Sequence, residues 1–154
     1  MKALDSLDRK ILMALQRDGR LTNQALADAV GLSPSPCLKR VRSLEKAGLI
    51  HGYHAEIGRK ACGLAVTAFV RIRLTDHSSE TVTTFEKRIA SVAEVVECHL
   101  MSGGQDYLLE VVVSGHDDYA RFLRERLHTI PGIGAIETNF SINAIKHRSP
   151  CPIP

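Results

Sequence analysis

A tight turn, Gly31-Leu32-Ser33-Pro34, lies between two short stretches of helical periodicity, and it constrains the fold of this 154-residue chain more than any other feature. Thr22 is a good N-cap for the stretch before the turn. Ser33 and Pro34 restart the helical pattern as N-cap and first helical residue, a position where the missing N–H of proline costs nothing. Two short helices joined in this way predict a helix-turn-helix over about residues 23–43.

The spacing of the apolar residues changes near residue 62. Before it the spacing is helical, with a first helix predicted at 8–18 and a third ending near Ala47; residues 49–57 fit a short extended segment or a wing. After it, segments with strand-like alternation are interspersed with segments of helical spacing. The predicted order is β-α-β-β-α-β, a ferredoxin-like arrangement, with strands at 65–74, 95–101, 107–113 and 135–146 and helices at 81–91 and 117–130.

The charge of the chain is unevenly distributed. Residues 1–60 contain 11 Lys and Arg against 6 Asp and Glu, a net charge of +5, whereas residues 61–154 contain 9 against 11, a net charge of −2. Positive charge confined to one end favours a polyanionic partner for that end. We therefore predict an α+β protein with a DNA-binding domain at 1–62, a ferredoxin-like domain at 63–148 and a peripheral tail at 149–154.

The predicted third helix has an apolar face and a basic face. Cys37, Val41 and Leu44 recur at three- and four-residue steps and are expected to pack inward. The opposite face presents hydroxyl and cationic side chains, which suit the phosphates and base edges of a major groove. Asn23 and Gln24 open the preceding helix, where free N–H groups favour a phosphate. The candidate DNA-contacting residues are Asn23, Gln24, Ser33, Pro34, Ser35, Lys39, Arg40, Arg42, Ser43 and Lys46. The alternative is a solvated basic helix in a three-helix bundle.

Other classes of site find little support in the sequence. No apolar run approaches the roughly 18 residues of a membrane span, and acids interrupt the start of the chain where a signal peptide is apolar. None of the four cysteines forms a C-x-x-C pair, and the seven histidines are not clustered, so no metal site is predicted. Cys98 and His99 are neighbours in a predicted strand and point to opposite faces, which argues against a nucleophile–base pair. We expect a cytoplasmic, non-enzymatic protein without a cofactor.

Several stretches resemble the leucine-responsive and asparagine-responsive (Lrp/AsnC) family of transcriptional regulators. The resemblance rests on residues 7–12, 18–21, 31–50 and 52–53 in the first part, and on 97–103, 106–109 and 131–133 in the second. It covers nearly the whole chain. It implies an N-terminal winged helix-turn-helix, a C-terminal ferredoxin-like (RAM-type) domain that dimerises, and further assembly into tetramers or octamers. Double-stranded DNA and an amino acid are the partners that it implies.

The same resemblance implies an effector site between dimers, formed by the loop between the second and third strands and by the last strand of a neighbouring subunit. Gly103 and Gly104 would let backbone N–H groups approach a carboxylate, and Asp106 would accept from an α-ammonium. Thr138 offers a hydroxyl. The full set is Met101, Ser102, Gly103, Gly104, Asp106, Tyr107, Ile136 and Thr138. Residues 67–70 and 77–80 resemble the corresponding stretches of family members that respond to cysteine or other small apolar amino acids. The alternative is a hairpin turn with Asp106 as its cap.

Two functions remain open at this stage. One is a transcription factor that responds to a ligand, and the other is a constitutive architectural DNA binder whose second domain only oligomerises. An enzyme of amino-acid metabolism is disfavoured, because no acid–base pair, nucleophile, cofactor loop or metal cluster remains once the two domains are assigned.

Overall fold

A computed structural model describes residues 4–146 and 150–153 and divides them into two compact units. The helical unit contains the residues up to Glu56 together with Lys146 and 150–153, and the sheet unit contains residues 57–145. Residues 57–62, assigned from sequence to the first domain, lie in the sheet unit, where Arg59 forms an ion pair with Glu110. The predicted tail packs on the helical unit: Gln16 exchanges hydrogen bonds with the backbone of Cys151, and Ile153 lies against the core.

The helical unit consists of three helices, α1 (Ser6–Arg17), α2 (Asn23–Val30) and α3 (Pro34–Lys46). Their apolar faces meet in one core, as the helical spacing predicts. The segment from Ile50 to Ile57 forms neither helix nor strand. Tyr53 in that segment donates to the Glu45 carboxylate on α3 at 3.0 Å. The buried side chains of the core are Ile11, Leu12, Leu26, Ala27, Val30, Cys37, Val41 and Leu44.

The sheet unit has the predicted β-α-β-β-α-β order. Its elements are β1 (Val66–Leu74), α4 (Ser79–Ile89), β2 (Val95–Leu100), β3 (Tyr107–Val113), α5 (His116–Glu125) and β4 (Ile133–Phe140). A short 3-10 helix precedes β1, and a second follows α5. The strands pair antiparallel in the order β2-β3-β1-β4, which confirms the ferredoxin-like fold.

The strand alternation places the core on one face of the sheet. On β1 the even-numbered residues from Ala68 to Leu74 are buried, and the odd-numbered ones from Phe69 to Arg73 are exposed on the other face. The two helices cover the buried face through apolar side chains. Phe85, Ile89, Tyr119, Phe122 and Leu127 are buried there, and Val82 and Leu123 are partly buried.

Two predicted ends are wrong. β4 ends at Phe140 instead of Lys146, because Phe140 pairs with Ala68 near the start of β1 and little partner strand remains beyond it. The last helix ends at Glu125 instead of Ile130. Arg126 is the C-cap, whose N–H still donates to the carbonyl of Phe122, and the chain continues as a 3-10 turn that buries Leu127.

Candidate DNA interface and effector loop

The turn between α2 and α3 has the geometry that its residues require. The Thr22 hydroxyl accepts from the N–H of Ala25 and caps α2. Gly31 ends α2 in the left-handed conformation (φ 75°), which a glycine adopts without strain. Ser33 is extended, and Pro34 begins α3. The three-residue turn 31–33 is therefore defined on both sides, by the end of α2 at Gly31 and by the start of α3 at Pro34.

The two faces of α3 are as predicted. Cys37, Val41 and Leu44 are buried, whereas the residues of the opposite face are exposed. That face combines three cations with three hydroxyls along about three and a half turns of helix. Its exposed members are Ser33, Ser35, Lys39, Arg42, Ser43 and Lys46.

Asn23 and Gln24 are partly occupied within the helical unit. The Asn23 amide nitrogen donates to the carbonyl of Pro34 at 2.9 Å, so this side chain ties the start of α2 to the start of α3. The Gln24 amide donates to Asp28 one turn along α2 and stays exposed. Asn23 thus positions the turn, and Gln24 remains exposed at the surface.

Arg40 differs from the other cations of α3. Its guanidinium contacts Asp5 at 2.6 Å and Asp8 at 2.9 Å, and the side chain of Asp8 is only 2% exposed. Asp5 also caps α1 by accepting from the N–H of Asp8, and this bond, with Arg40 next, lowers the pKa of Asp5. The geometry gives Arg40 a role in joining α1 to α3, which spacing alone does not reveal.

The predicted effector loop lies at the end of the sheet where β2 ends and β3 begins. Gly103 adopts φ 125°, a conformation that side chains rarely allow, and a Cβ at Gly103 or Gly104 would meet open space. The N–H of Met101 donates to the carbonyl of Asp106 at 2.8 Å, which closes the loop. The exposed loop therefore presents glycine backbone without covering side chains.

Asp106 is held on both of its carboxylate oxygens. Oδ2 accepts from the N–H of Leu74 at 2.7 Å, and Oδ1 lies 2.7 Å from Nε2 of His77. The backbone N–H of Asp106 donates to the carbonyl of Ile72. The hydrogen bond with His77, followed by the one from Leu74, lowers the pKa of Asp106.

Three of the predicted effector residues lie elsewhere in the sheet unit. Tyr107 is buried, and its hydroxyl donates to Glu86 at 2.9 Å; burial, followed by this hydrogen bond, raises its pKa to about 12. Ile136 and Thr138 are on β4, and the hydroxyl of Thr138 is hydrogen-bonded to that of Tyr119. Because β2 and β4 are opposite edges of the sheet, three strand spacings put Met101 about 14 Å from β4. One chain does not bring the two halves of the predicted site together.

His77 lies in this region but was not among the predicted effector residues, although residues 77–80 entered the family resemblance. It is separated from Asp106 by 29 residues, and a lone histidine after a strand carries no pattern of its own. One signal was available, because a ferredoxin-like order places the end of β1 beside the start of β3. The loop after β1 therefore had to meet the loop before β3.

An open cavity of about 310 Å³ lies away from these loops, between α5 and the end of β3. Its rim carries paired charges, Arg121 with Asp118 and Arg126 with Glu94. It contains none of the predicted effector residues.

Metal and membrane sites are not found in the part of the chain that the structure describes. Residues 4–146 and 150–153 contain no cluster of three or more His, Cys, Asp or Glu side chains placed to hold a metal ion. The same residues form no helix long and apolar enough to cross a membrane. All four cysteines are free thiols.

Two family models match the chain. Residues 4–51 match a winged helix-turn-helix DNA-binding domain, and residues 67–151 match the Lrp/AsnC ligand binding domain. The first match lies within the helical unit, and the second covers most of the sheet unit and continues to residue 151.

Curated relatives and solved structures agree with these matches. The Bkd operon transcriptional regulator of Pseudomonas aeruginosa is 39% identical, covering 99% of this chain and 100% of the relative. The leucine-responsive regulatory protein of Escherichia coli is also 39% identical, covering 94% and 88%. A transcriptional regulator from Neisseria meningitidis, solved in complex with L-Met, superposes with a TM-score of 0.93 at 33% identity over 97% of each chain. This chain therefore belongs to the Lrp/AsnC family of transcriptional regulators.

Proposed function

We propose that this protein regulates transcription of genes for amino-acid metabolism or transport, and that an amino acid bound at the loop 101–106 changes its action on DNA. The observation that carries the proposal is the pairing of bare glycine backbone with a fixed carboxylate. Gly103 and Gly104 face open space, and Asp106 is anchored to the end of β1. N–H groups for a carboxylate beside an acceptor for an ammonium are the two elements that recognise a free amino acid.

On DNA, we assign recognition to α3. Its exposed cations Lys39, Arg42 and Lys46 suit phosphates and guanine edges, and its serines suit phosphates or base edges. In a helix-turn-helix the start of the second helix approaches the bases, which places Ser33, Pro34 and Ser35 nearest to them. Gln24 and Ser43 would contact the backbone, while Asn23 and Arg40 hold the helices in place.

In the effector site, the loop of one subunit would bind the α-carboxylate and α-ammonium. Met101 and Ser102 stand beside it on the exposed surface. Ile136 and Thr138 would come from β4 of a neighbouring subunit, because about 14 Å separates β4 from Met101 within one chain. The complex of the Neisseria regulator with L-Met supports an amino acid as the class of ligand.

The proposal includes a homo-oligomer. The face of the sheet opposite the helices exposes Phe69 on a central strand, beside the Arg71–Glu137 ion pair. An exposed aromatic side chain among paired charges suits a protein interface. We propose a dimer through this face, further assembled into a tetramer or octamer that completes the effector site. The regulator would act in the cytoplasm, without catalysis.

One observation favours a constitutive DNA binder as a second candidate. His77 already occupies the Asp106 oxygen that an ammonium would need. A chain in which this pair is permanent would not respond to amino acids.

Thermal shift with each of the twenty amino acids, followed by DNA binding with and without those that act, separates the candidates. We expect at least one amino acid to raise Tm and to change the DNA affinity or the footprint. Asp106→Asn should abolish the shift, while Asp117→Asn, at the start of α5 and away from the loop 101–106, should keep it. No shift with any amino acid would contradict the amino-acid response and favour the constitutive binder. In-vitro selection of bound DNA then identifies the operator.

A further inference from the structure

The His77–Asp106 pair joins two loops at one end of the sheet. Nε2 of His77 lies 2.7 Å from Oδ1 of Asp106. The side chain of Asp106 is only 17% exposed, whereas that of His77 is 72% exposed. The imidazole thus lies on the solvent side of a carboxylate that is otherwise partly enclosed.

The two partners differ in how firmly they are held. Asp106 is fixed to β1 through its carboxylate, which accepts from Leu74, and through its N–H, which donates to Ile72. His77 belongs to a loop whose two ends are anchored: Thr75 donates to the carbonyl of Gly132, and Ser78 donates to Asp76. An exposed imidazole on an anchored loop can leave Asp106 by side-chain rotation alone.

The charges around the pair favour an imidazolium. Asp106 and Asp76 are the acids that face His77, and their effect raises its pKa, with the Asp106 hydrogen bond as the largest cause. The pKa of Asp76 is lowered to about 2 by its bonds to Ser78 and Thr81, so this acid remains ionised. Arg73 is the cation that faces Asp106.

We propose that His77 occupies the ammonium subsite of the effector site, so that an incoming amino acid must displace its imidazole from Asp106. The inference rests on the proposed function and adds a competing internal cation to it. An α-ammonium and an imidazolium are both N–H donors that make charge-assisted bonds to a carboxylate. As the pH rises through the raised pKa of His77, the imidazolium loses its proton while the ligand's α-ammonium keeps its own, so affinity rises with pH. One titrating proton changes it by at most about tenfold per pH unit.

The test measures binding of each of the twenty L-amino acids at pH 6, 7 and 8 by thermal shift, with Kd determined for those that bind. In the wild type we expect binding about tenfold tighter at pH 8 than at pH 6. His77→Ala should bind equally tightly at the three values, at or above the wild-type affinity at pH 8. His99→Ala is the matched control, since His99 pairs with Glu97 at 3.1 Å in the same unit and should keep the wild-type dependence.

A second readout follows His77 itself. Its imidazole resonance should titrate at a raised pKa in the free protein and shift toward the ordinary value when the amino acid is added. Binding that is independent of pH, or whose pH dependence survives in His77→Ala, would overturn this inference and leave the proposed function standing. Absence of binding by all twenty in both wild type and His77→Ala would overturn both.

Discussion

Arg40 on the flank of α3 donates at 2.9 Å to Asp8, a carboxylate buried in the helical unit. This contact fixes α3 relative to α1. Removing one partner leaves the other charge uncompensated, which destabilises a buried pair. We therefore expect Arg40→Ala to lower the Tm of the helical unit by several degrees and to weaken DNA binding as a consequence. Arg42→Ala, whose side chain is exposed, should weaken DNA binding at unchanged Tm. Equal Tm values for the two variants would refute this assignment.

The exposed lysines of α3 should determine the salt dependence of DNA binding. Each phosphate contact releases counterions and adds about 0.9 to the slope of log K against log salt. Lys39→Ala and Lys46→Ala are expected to reduce the slope by about one each, measured by fluorescence anisotropy from 50 to 200 mM salt. Lys87→Ala, on α4 of the other unit, is the control and should leave the slope unchanged. A slope insensitive to both α3 lysines would place the phosphate contacts elsewhere.

Gly132 has a backbone conformation that side chains rarely adopt, and it has no room for a side chain. It adopts φ 84°, and a Cβ there would lie 2.5 Å from Cγ2 of Thr81. Gly132→Ala should cost about 1–3 kcal/mol of unfolding free energy, measured by urea denaturation. Adding Thr81→Ser removes the clashing methyl and should recover only part of the loss, because the backbone strain remains. Gly104→Ala, which meets open space, should be close to neutral. If the double variant with Gly132→Ala and Thr81→Ser recovered all of the lost unfolding free energy, steric overlap alone would be responsible for the loss.

The pH dependence of stability should reveal the His77–Asp106 pair. The raised pKa of His77 gives a contribution that is present below its ordinary value of 6.5 and lost as pH rises through the raised one. The lowered pKa of Asp106 gives a contribution present above 3.8 and lost as pH falls through the lowered value. The Tm difference between wild type and His77→Ala should therefore be greatest between about pH 4 and 6.5. It should vanish once the pH has risen above the raised pKa of His77, and a difference independent of pH would argue against an ionic pair.

The four thiols should differ in reactivity. Cys37 lies on α3 and is buried in the core of the helical unit, and burial raises its pKa, whereas Cys62, Cys98 and Cys151 are exposed. The thiolate is the reactive form. Alkylation of the folded protein, followed by mass spectrometry, should modify the three exposed cysteines and spare Cys37 until urea unfolds the helical unit. Partial desolvation, followed by the charge of Glu86, raises the pKa of Cys98 as well, so this thiol should be the slowest of the three. Rapid labelling of Cys37 would indicate local opening of α3.

The features that could be predicted from the sequence are the buried faces of helices and strands, because the spacing of apolar residues determines them. Cys37, Val41 and Leu44 on α3, and the alternating residues of β1, are buried as expected, because apolar spacing alone determines which face is covered. The starts of α2 after Thr22 and of α3 after Ser33 were also predicted correctly, whereas α1 and α4 begin two residues before the predicted starts at 8 and 81.

The features that were not predicted depend on contacts between residues that are distant in the chain. Arg40 and Asp8 are 32 residues apart, and His77 and Asp106 are 29 apart. No local pattern distinguishes an arginine that meets DNA from one that meets a buried aspartate. The end of β4 escaped for a similar reason, since a strand ends where its neighbour does, and β1 offers nothing beyond Val66.

The helical unit is completed by residues from both ends of its sequence. Ile153 packs on a core otherwise built from residues before Glu56, and Gln16 binds the backbone of Cys151. During synthesis, residues 150–153 leave the ribosome only after the entire sheet unit has been made. A nascent DNA-binding unit thus lacks its last contacts until the ligand-binding unit exists, and a fragment ending at residue 56 lacks them permanently. Expression of the first 56 residues alone should give a less stable operator-binding fragment than the same unit within the full chain.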